Sequence, residues 1–105
     1  MKIKLNSMVV DDQEKALRFY TEVLGFVRKM EIPMGEHRWL TVVSPEERDG
    51  TELSLEPLAF PPARVFQKAL YEAGIPWTTF QVNDIKEEYA RLQGLGVVFK
   101  MPPTQ

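Results

Sequence analysis

The spacing of apolar positions along this 105-residue chain changes several times, and each change marks a predicted element. Residues 3–10 are mostly apolar or small and end at Asp11-Asp12, which is typical of a β-strand. Behind Asp12, apolar residues recur at helical spacing as far as Leu24. Gly25 then stands where helices commonly end. The pattern predicts a strand at 3–10 and an amphipathic helix at 12–24.

The rest of the chain alternates between strand-like and helix-like segments. Three prolines within residues 57–62 interrupt the pattern and predict a linker. Turn-forming residues at Pro33–Gly35 and Glu47–Gly50 separate the strands of the first half. The further predicted elements are strands at 26–31, 37–43 and 51–56, a short helix at 63–73, a strand at 77–82, a helix from Asp84 to about Leu92, and a strand at 97–101.

The two halves of the chain repeat one another. Val10-Asp11-Asp12 precedes the first helix, and Val82-Asn83-Asp84 precedes the last; both helices end near a glycine that an apolar strand follows. Such a repeat predicts two βαβββ modules. The fold class is therefore α+β, with paired βαβββ modules of which the second is incomplete, as βαβ. The predicted boundaries are 1–56 for the first module, 57–76 for the linker and short helix, and 77–105 for the partial second module.

The amino-acid composition limits the cellular compartments and the classes of partner that we expect for this chain. The chain has no cysteine, which excludes disulfides and thiolate metal sites and is compatible with the cytoplasm. Its net charge is −2, and no basic block is present, so we expect no nucleic-acid partner. The apolar part of the N-terminus is too short and too interrupted for a signal peptide or a membrane span. We expect a cytoplasmic protein with no membrane partner.

Two segments resemble a known superfamily. The run from Val10 to Phe26, which contains FYTEVLGF, resembles the first strand–helix–strand of vicinal oxygen chelate proteins, the glyoxalase/bleomycin resistance protein/dioxygenase superfamily. The segment Asp84–Gly96, DIKEEYARLQGLG, is similar to the second helix of that family. The resemblance implies a U-shaped sheet around a small-molecule cleft, usually in a dimer. Family members normally continue for about two more strands.

The resemblance also implies four metal-ligand positions on the inner sheet face, which enzymatic members fill with His, Gln or Glu. Three of these positions can be counted in this chain, and they hold Leu5, Ser54 and Trp77. None of the three suits a transition-metal ion, so we expect no metal and no cofactor. His37, Glu52 and Glu56 are a less favoured alternative set for a divalent metal. Glu52 and Glu56 are four residues apart on one strand, roughly 13 Å, which is too far for both to reach one ion easily.

Strand alternation divides the apolar residues from a candidate ligand-binding face. The residues predicted to pack under the helices are Met8, Val10, Leu40, Val42, Leu53, Leu55, Phe80 and Val82. The opposite, concave face collects Leu5, Ser7, Val9, His37, Trp39, Thr41, Glu52, Ser54, Glu56, Trp77, Thr79 and Gln81. Aromatic side chains among a few polar groups are typical of a pocket for a small, partly apolar or aromatic molecule.

Two kinds of residue on this face have a second interpretation. His37, the only histidine, could act as a general base, but a solvated histidine at the edge of a strand is the favoured interpretation. Trp39 and Trp77 could stack on a planar ligand or pack in a core or a dimer interface, and the sequence does not decide between these.

The function that we predict is binding or sequestering of a small molecule, in the manner of glyoxalase/bleomycin-resistance proteins, without the family metal site. One alternative is a metal-dependent, glyoxalase-like lyase or dioxygenase, and another is an interaction domain or a non-functional truncated fragment. No catalytic residue can be assigned, because no nucleophile–base pair is visible. The incomplete second module leaves an open strand edge, which predicts a homodimer or a strand-exchanged oligomer.

Overall fold

The computed structural model describes residues 1–104, which form two compact units, Met1–Ile75 and a second that begins at Pro76. The elements in chain order are β1 (Leu5–Val10), α1 (Gln13–Arg18) with a π-helical continuation (Phe19–Val23), β2 (Val27–Met34), β3 (His37–Val43), β4 (Glu52–Pro57), α2 (Pro61–Ala73) and α3 (Ile85–Gly94). The mixed α+β fold class is confirmed. Each unit is described here by itself.

The first helix begins and ends as its sequence predicts but changes type midway. The side chain of Asp12 caps it by accepting a hydrogen bond from the backbone N–H of Lys15 at 3.0 Å. From Phe19 onwards the backbone widens into π-helix, and Leu24 N–H donates to the Phe19 carbonyl. Gly25 ends the segment with a φ of 89°, a left-handed conformation that side chains with a Cβ rarely adopt.

The four strands form one sheet in the order β1-β4-β3-β2. β1 runs parallel to β4, whereas β3 is antiparallel to both of its neighbours. The core lies between the sheet and α1 and is built around Tyr20, Leu40, Val42 and Leu55. Met8, Val10 and Leu53 pack against this cluster, so alternation predicted the helix-facing residues of these strands correctly.

The linker predicted at 57–62 is shorter than the prolines suggested. β4 extends to Pro57, and α2 already begins at Pro61. Pro61 and Pro62 occupy the first two positions of the helix, where a missing N–H removes no helical hydrogen bond. Pro61 and Pro62 therefore start the helix and are not part of the linker. Gly74 ends α2 with a φ of 68°.

The second compact unit contains α3. Asp84 caps this helix by accepting from the backbone N–H groups of Lys86 and Glu87 at 3.0 and 3.1 Å. After Gly96 the chain turns back, and the ring of Phe99 lies 4.7 Å from that of Tyr89. The helix predicted from Asp84 is thus present and extends to Gly94.

Two predicted strands are absent from the described residues. Segments 77–82 and 97–101 both have extended-type sequences, but neither takes part in a strand ladder. A β-strand is completed only by hydrogen bonds to a neighbouring strand, so an alternating pattern without such a neighbour does not suffice. Phe80 and Val82, predicted to pack under the helices, are accordingly 42% and 37% exposed.

No helix among residues 1–104 has the length and apolar character needed to cross a membrane.

Candidate functional site

The sheet face opposite α1 brings predicted site residues from β1, β3 and β4 together, beside Met30 and Ile32 of β2, which were not predicted. We call it the distal face and define it by Leu5, Ser7, Val9, Met30, Ile32, His37, Trp39, Thr41, Glu52, Ser54 and Glu56. The strand register arranges part of it in two adjacent rows. The first row crosses the sheet as Ser7, Ser54, Thr41 and Met30. The second row is divided into two pairs, Val9 with Glu56 and Trp39 with Ile32, because the β3–β4 ladder ends at Thr41 and Ser54.

A buried hydrogen-bond chain occupies one part of this face. The hydroxyl of Thr41, which is fully buried, donates to Glu52 Oε1 at 2.7 Å and accepts from the backbone N–H of Met30 at 3.2 Å. The strand pairing is irregular between Arg28 and Met30, so this N–H is satisfied by a side chain. Lys4 Nζ lies 3.7 Å from Glu52 Oε2. Glu52 is therefore fully engaged by its own chain.

Glu56 has a different environment from Glu52. Its Oε1 accepts a 2.6 Å hydrogen bond from the hydroxyl of Ser54, which is 1% exposed. Glu56 itself is half-buried, and among residues 1–104 no cationic side chain forms an ion pair with it. One strand thus presents a carboxylate that is neutralised within the chain and another that is not.

The side chain of Gln13 holds the site's two central strands at the point where they separate. Beyond Thr41 and Ser54 the β3–β4 pairing stops. Continuing the register would bring Arg38 opposite Pro57, which has no N–H to donate. Gln13 supplies the missing group: its Nε2 donates to the carbonyls of Arg38 at 2.7 Å and Leu55 at 2.8 Å, and its Oε1 accepts from Arg38 N–H at 3.2 Å.

The sequence reasoning missed Gln13 as a positioning residue. The only available signal was the coincidence of a polar residue at the start of an amphipathic helix and a proline at the end of a predicted strand. These two residues are far apart in sequence, and their proximity requires the folded sheet.

Arg38 is committed to the opposite side of the sheet. Its guanidinium bonds Glu14 Oε2 at 2.7 Å and Glu31 Oε2 at 2.5 Å. These hydrogen bonds, first that to Glu14 and then that to Glu31, raise the pKa of Arg38 above its ordinary value. Arg38 therefore ties α1 to β2 and β3 and is not available on the distal face.

The remaining predicted site residues fall into two groups. Leu5, Ser7 and His37 lie on the distal face and are exposed, His37 at the first position of β3. Trp77, Thr79 and Gln81 belong to the second compact unit, in the segment that forms no strand, and Trp77 is 68% exposed. Their membership of a ligand site stays a prediction.

The donor chemistry does not fit the metal site that the family resemblance implies. Leu5 has no donor atom, the hydroxyl of Ser54 is committed to Glu56, and Trp77 offers only an N–H. Within residues 1–104, no three His, Cys, Asp or Glu side chains are grouped so that they could hold an ion. The face can offer a stacking surface, the exposed hydroxyl of Ser7 and one unneutralised carboxylate.

Comparisons with known proteins agree on one family. The model of the Glyoxalase/Bleomycin resistance protein/Dioxygenase superfamily matches residues 2–105. The protein YurT of Bacillus subtilis (strain 168) is 51% identical over 105 residues, which cover 100% of this chain and 83% of YurT. Among solved structures, UcmS2 has a TM-score of 0.83 at 28% identity, with 100% of this chain and 82% of that one covered. TnmS3, an antibiotic binding protein from Streptomyces sp. CB03234, has a TM-score of 0.75 at 29% identity, with 100% and 78% covered.

Proposed function

This chain belongs to the glyoxalase/bleomycin resistance protein/dioxygenase superfamily, and we propose that it binds and sequesters a small, partly apolar or aromatic molecule on its distal face without a metal ion. The observation that carries the proposal is the row of Val9, Glu56, Trp39 and Ile32. It places a part-exposed indole beside Ile32, on the same face as Val9 and the Glu56 carboxylate. This is the mixture of apolar surface and few polar groups on which small-molecule sites are built.

A relative supports the same class of ligand. TnmS3 is an antibiotic binding protein, and its likeness to this chain extends over the whole of residues 1–105. A relative's ligand does not transfer by fold alone, because one fold hosts many functions. The distal face supplies the local argument: Trp39 offers a planar surface, and aromatic stacking adds about 0.5–1.5 kcal/mol beyond the burial of apolar area.

The residues favour binding over metal-dependent catalysis. Glu52, the most buried carboxylate of the face, is held by Thr41 and Lys4 and would have to give up both to coordinate an ion. Glu56 lies roughly 13 Å further along the same strand. We therefore derive no reaction step and propose a binding protein.

A variant with one tryptophan tests the proposal. Trp77→Phe leaves Trp39 as the only tryptophan. We expect saturable quenching of Trp39 fluorescence by at least one compound from a panel of two- and three-ring planar aromatics. The same compound should raise the unfolding free energy by about 2.7 kcal/mol at a ligand concentration of 100 times Kd. Trp39→Phe should retain part of this affinity, and Trp39→Leu should lose most of it.

The metal-free part of the proposal has its own control. EDTA-treated protein is titrated with Zn²⁺, Ni²⁺, Mn²⁺ and Fe²⁺ while thermal unfolding is followed. We expect no saturable shift. A shift for one metal that disappears in Glu52→Ala or His37→Ala would contradict this part, and a panel without any ligand that quenches Trp39 would contradict the binding site.

A further inference from the structure

We infer that the ligand of the distal face is an organic cation with an apolar or aromatic body, whose charged nitrogen pairs with the Glu56 carboxylate on the same sheet face as Trp39. This inference rests on the proposed function and narrows it to a class of ligand. It follows from a comparison of the carboxylates of the sheet.

Four other carboxylates on and around the sheet are neutralised within the chain. Glu52 pairs with Lys4 at 3.7 Å, and Asp49 pairs with Lys29 at 3.4 Å. Glu14 and Glu31 share Arg38. Glu56 receives only the neutral hydroxyl of Ser54 among the described residues, at 2.6 Å. A partly buried charge without a counter-ion costs free energy, which a cationic partner from outside the chain would recover.

The neighbours of Glu56 would strengthen such a pairing. Val9 lies beside it on β1, and Trp39, two residues along β3 from Thr41, is on the same sheet face with Ile32 opposite it on β2. Apolar walls exclude water when a ligand covers them, and a charge pair is stronger in the lower local dielectric that results. The indole face also attracts cations, by about 0.5–2 kcal/mol depending on desolvation.

Two of the chain's own cations, Lys4 and Lys29, are held away from this position. Lys4 is committed to Glu52, which lies roughly 13 Å from Glu56 along β4. Lys29 donates to the carbonyl of Arg48 and to Asp49 in the β3–β4 connection. A ligand cation would therefore meet no competing positive side chain among these residues at Glu56, whereas an anionic ligand would meet an unneutralised carboxylate.

Three compounds of the same shape and different charge test the inference. They are 1-naphthylmethylamine, 1-naphthylmethanol and 1-naphthaleneacetate, the carboxylate. Each is titrated into the full chain by isothermal calorimetry at neutral pH. We expect the amine to bind roughly tenfold more tightly than the alcohol, as one charge-assisted hydrogen bond implies, and the acetate to bind most weakly. High salt should reduce the amine's advantage.

Variants assign the preference to one residue. Glu56→Gln retains an oxygen that can accept from Ser54, so the fold is kept, and it should bring the amine and the alcohol to similar affinities. Glu56→Lys should favour the acetate. Glu22→Gln removes the same charge from an exposed position of the first helical segment and should leave the ratio unchanged.

The outcomes separate this inference from the proposed function. Equal affinities for amine and alcohol in the unsubstituted protein, or a tighter acetate, would overturn the cation while leaving a small-molecule site in place. An amine preference that survives Glu56→Gln would overturn the role of Glu56. Absence of binding by all three compounds would overturn the proposed function and this inference together.

Discussion

Individual side chains of the sheet region are fixed by contacts that a strand pattern does not reveal. Tyr20 lies in the core, where its hydroxyl contacts Met8 Sδ at 2.6 Å and its ring meets Phe19 and Phe26 at 5.7 and 6.1 Å. Burial raises the pKa of the Tyr20 phenol because ionisation would place a charge in an apolar environment. The stability of the core therefore depends on pH in alkaline solution through the Tyr20 phenol.

The raised pKa of Tyr20 predicts a loss of stability at high pH. The folded state holds this proton more tightly than the unfolded state, so the stabilisation is fully present below the usual tyrosine pKa of about 10. It is lost as pH rises through the higher folded pKa. We expect Tyr20→Phe to flatten the fall of unfolding free energy above pH 10, measured by urea denaturation at several pH values. Tyr71→Phe measures what an exposed phenol contributes, and an unchanged slope in Tyr20→Phe would contradict the assignment.

Thr41 provides a second prediction at this scale. Thr41→Val keeps the shape of the side chain but removes a donor from Glu52 and an acceptor from Met30 N–H. Leaving buried polar groups unpaired costs about 1–3 kcal/mol, which chemical denaturation would detect. Thr51→Val, whose hydroxyl donates to Ile3 O at an exposed position, should cost much less. Equal effects of the two substitutions would show that the buried chain is not stabilising.

The environments of the two β4 carboxylates, Glu52 and Glu56, could be predicted only in part from the sequence. Alternation placed Glu52, Ser54 and Glu56 on one face, because the side chains of a strand alternate regardless of its neighbours. It could not tell that Glu52 meets Lys4, whereas Glu56 forms no ion pair within residues 1–104. That difference depends on the parallel register of β1 and β4, which is set by the folded sheet.

At the scale of elements, the segments that find a neighbour within the first compact unit match their sequence patterns. β1 to β4 pair with one another, and α1 covers them. Segments 77–82 and 97–101 have equally strand-like patterns without a ladder among the described residues. The pattern of side chains reports which face would be buried; hydrogen-bond partners decide whether a strand forms.

Gln13 connects elements and yields a prediction at this scale. Gln13→Leu would leave the Arg38 and Leu55 carbonyls and the Arg38 N–H without their partner, and we expect a loss of at least about 2 kcal/mol of unfolding free energy. Gln13→Glu retains an acceptor for Arg38 N–H but offers no donor to the carbonyls, so it should be comparably unfavourable. Gln93→Leu, on the exposed surface of α3, is the control. A Gln13→Leu protein as stable as this control would contradict the bridging role.

For the whole molecule, family membership follows from sequence more readily than the assembly does. This chain covers 83% of YurT and 82% of UcmS2, and both matches extend over its full length. β1 is at the edge of the four-stranded sheet. Two of its outward backbone groups are satisfied by side chains: Ser7 N–H by Asn6 Oδ1 and the Val9 carbonyl by Gln67 Nε2. A homodimer or strand-exchanged oligomer remains our prediction.

Sedimentation velocity over a range of concentrations would test this prediction, with a dimer as the expected species. Val9→Pro is the informative variant, because the Val9 N–H points away from β4 and its loss leaves the β1–β4 ladder intact. If β1 is the assembly edge, this variant should shift the equilibrium towards monomer without a large change in stability. A monomeric unsubstituted protein at every concentration would contradict the predicted oligomer.

The parallel pairing of β1 with β4 also sets the order in which the first compact unit assembles. The β2–β3 hairpin joins residues close in sequence, whereas β1 pairs with a strand almost half of the chain away. Closing that long loop costs entropy before the pairing returns any stabilisation. Substitutions in the hairpin should therefore slow folding, and those in β1 should mainly accelerate unfolding. During synthesis on the ribosome, β1 would remain without its partner strand until β4 has emerged.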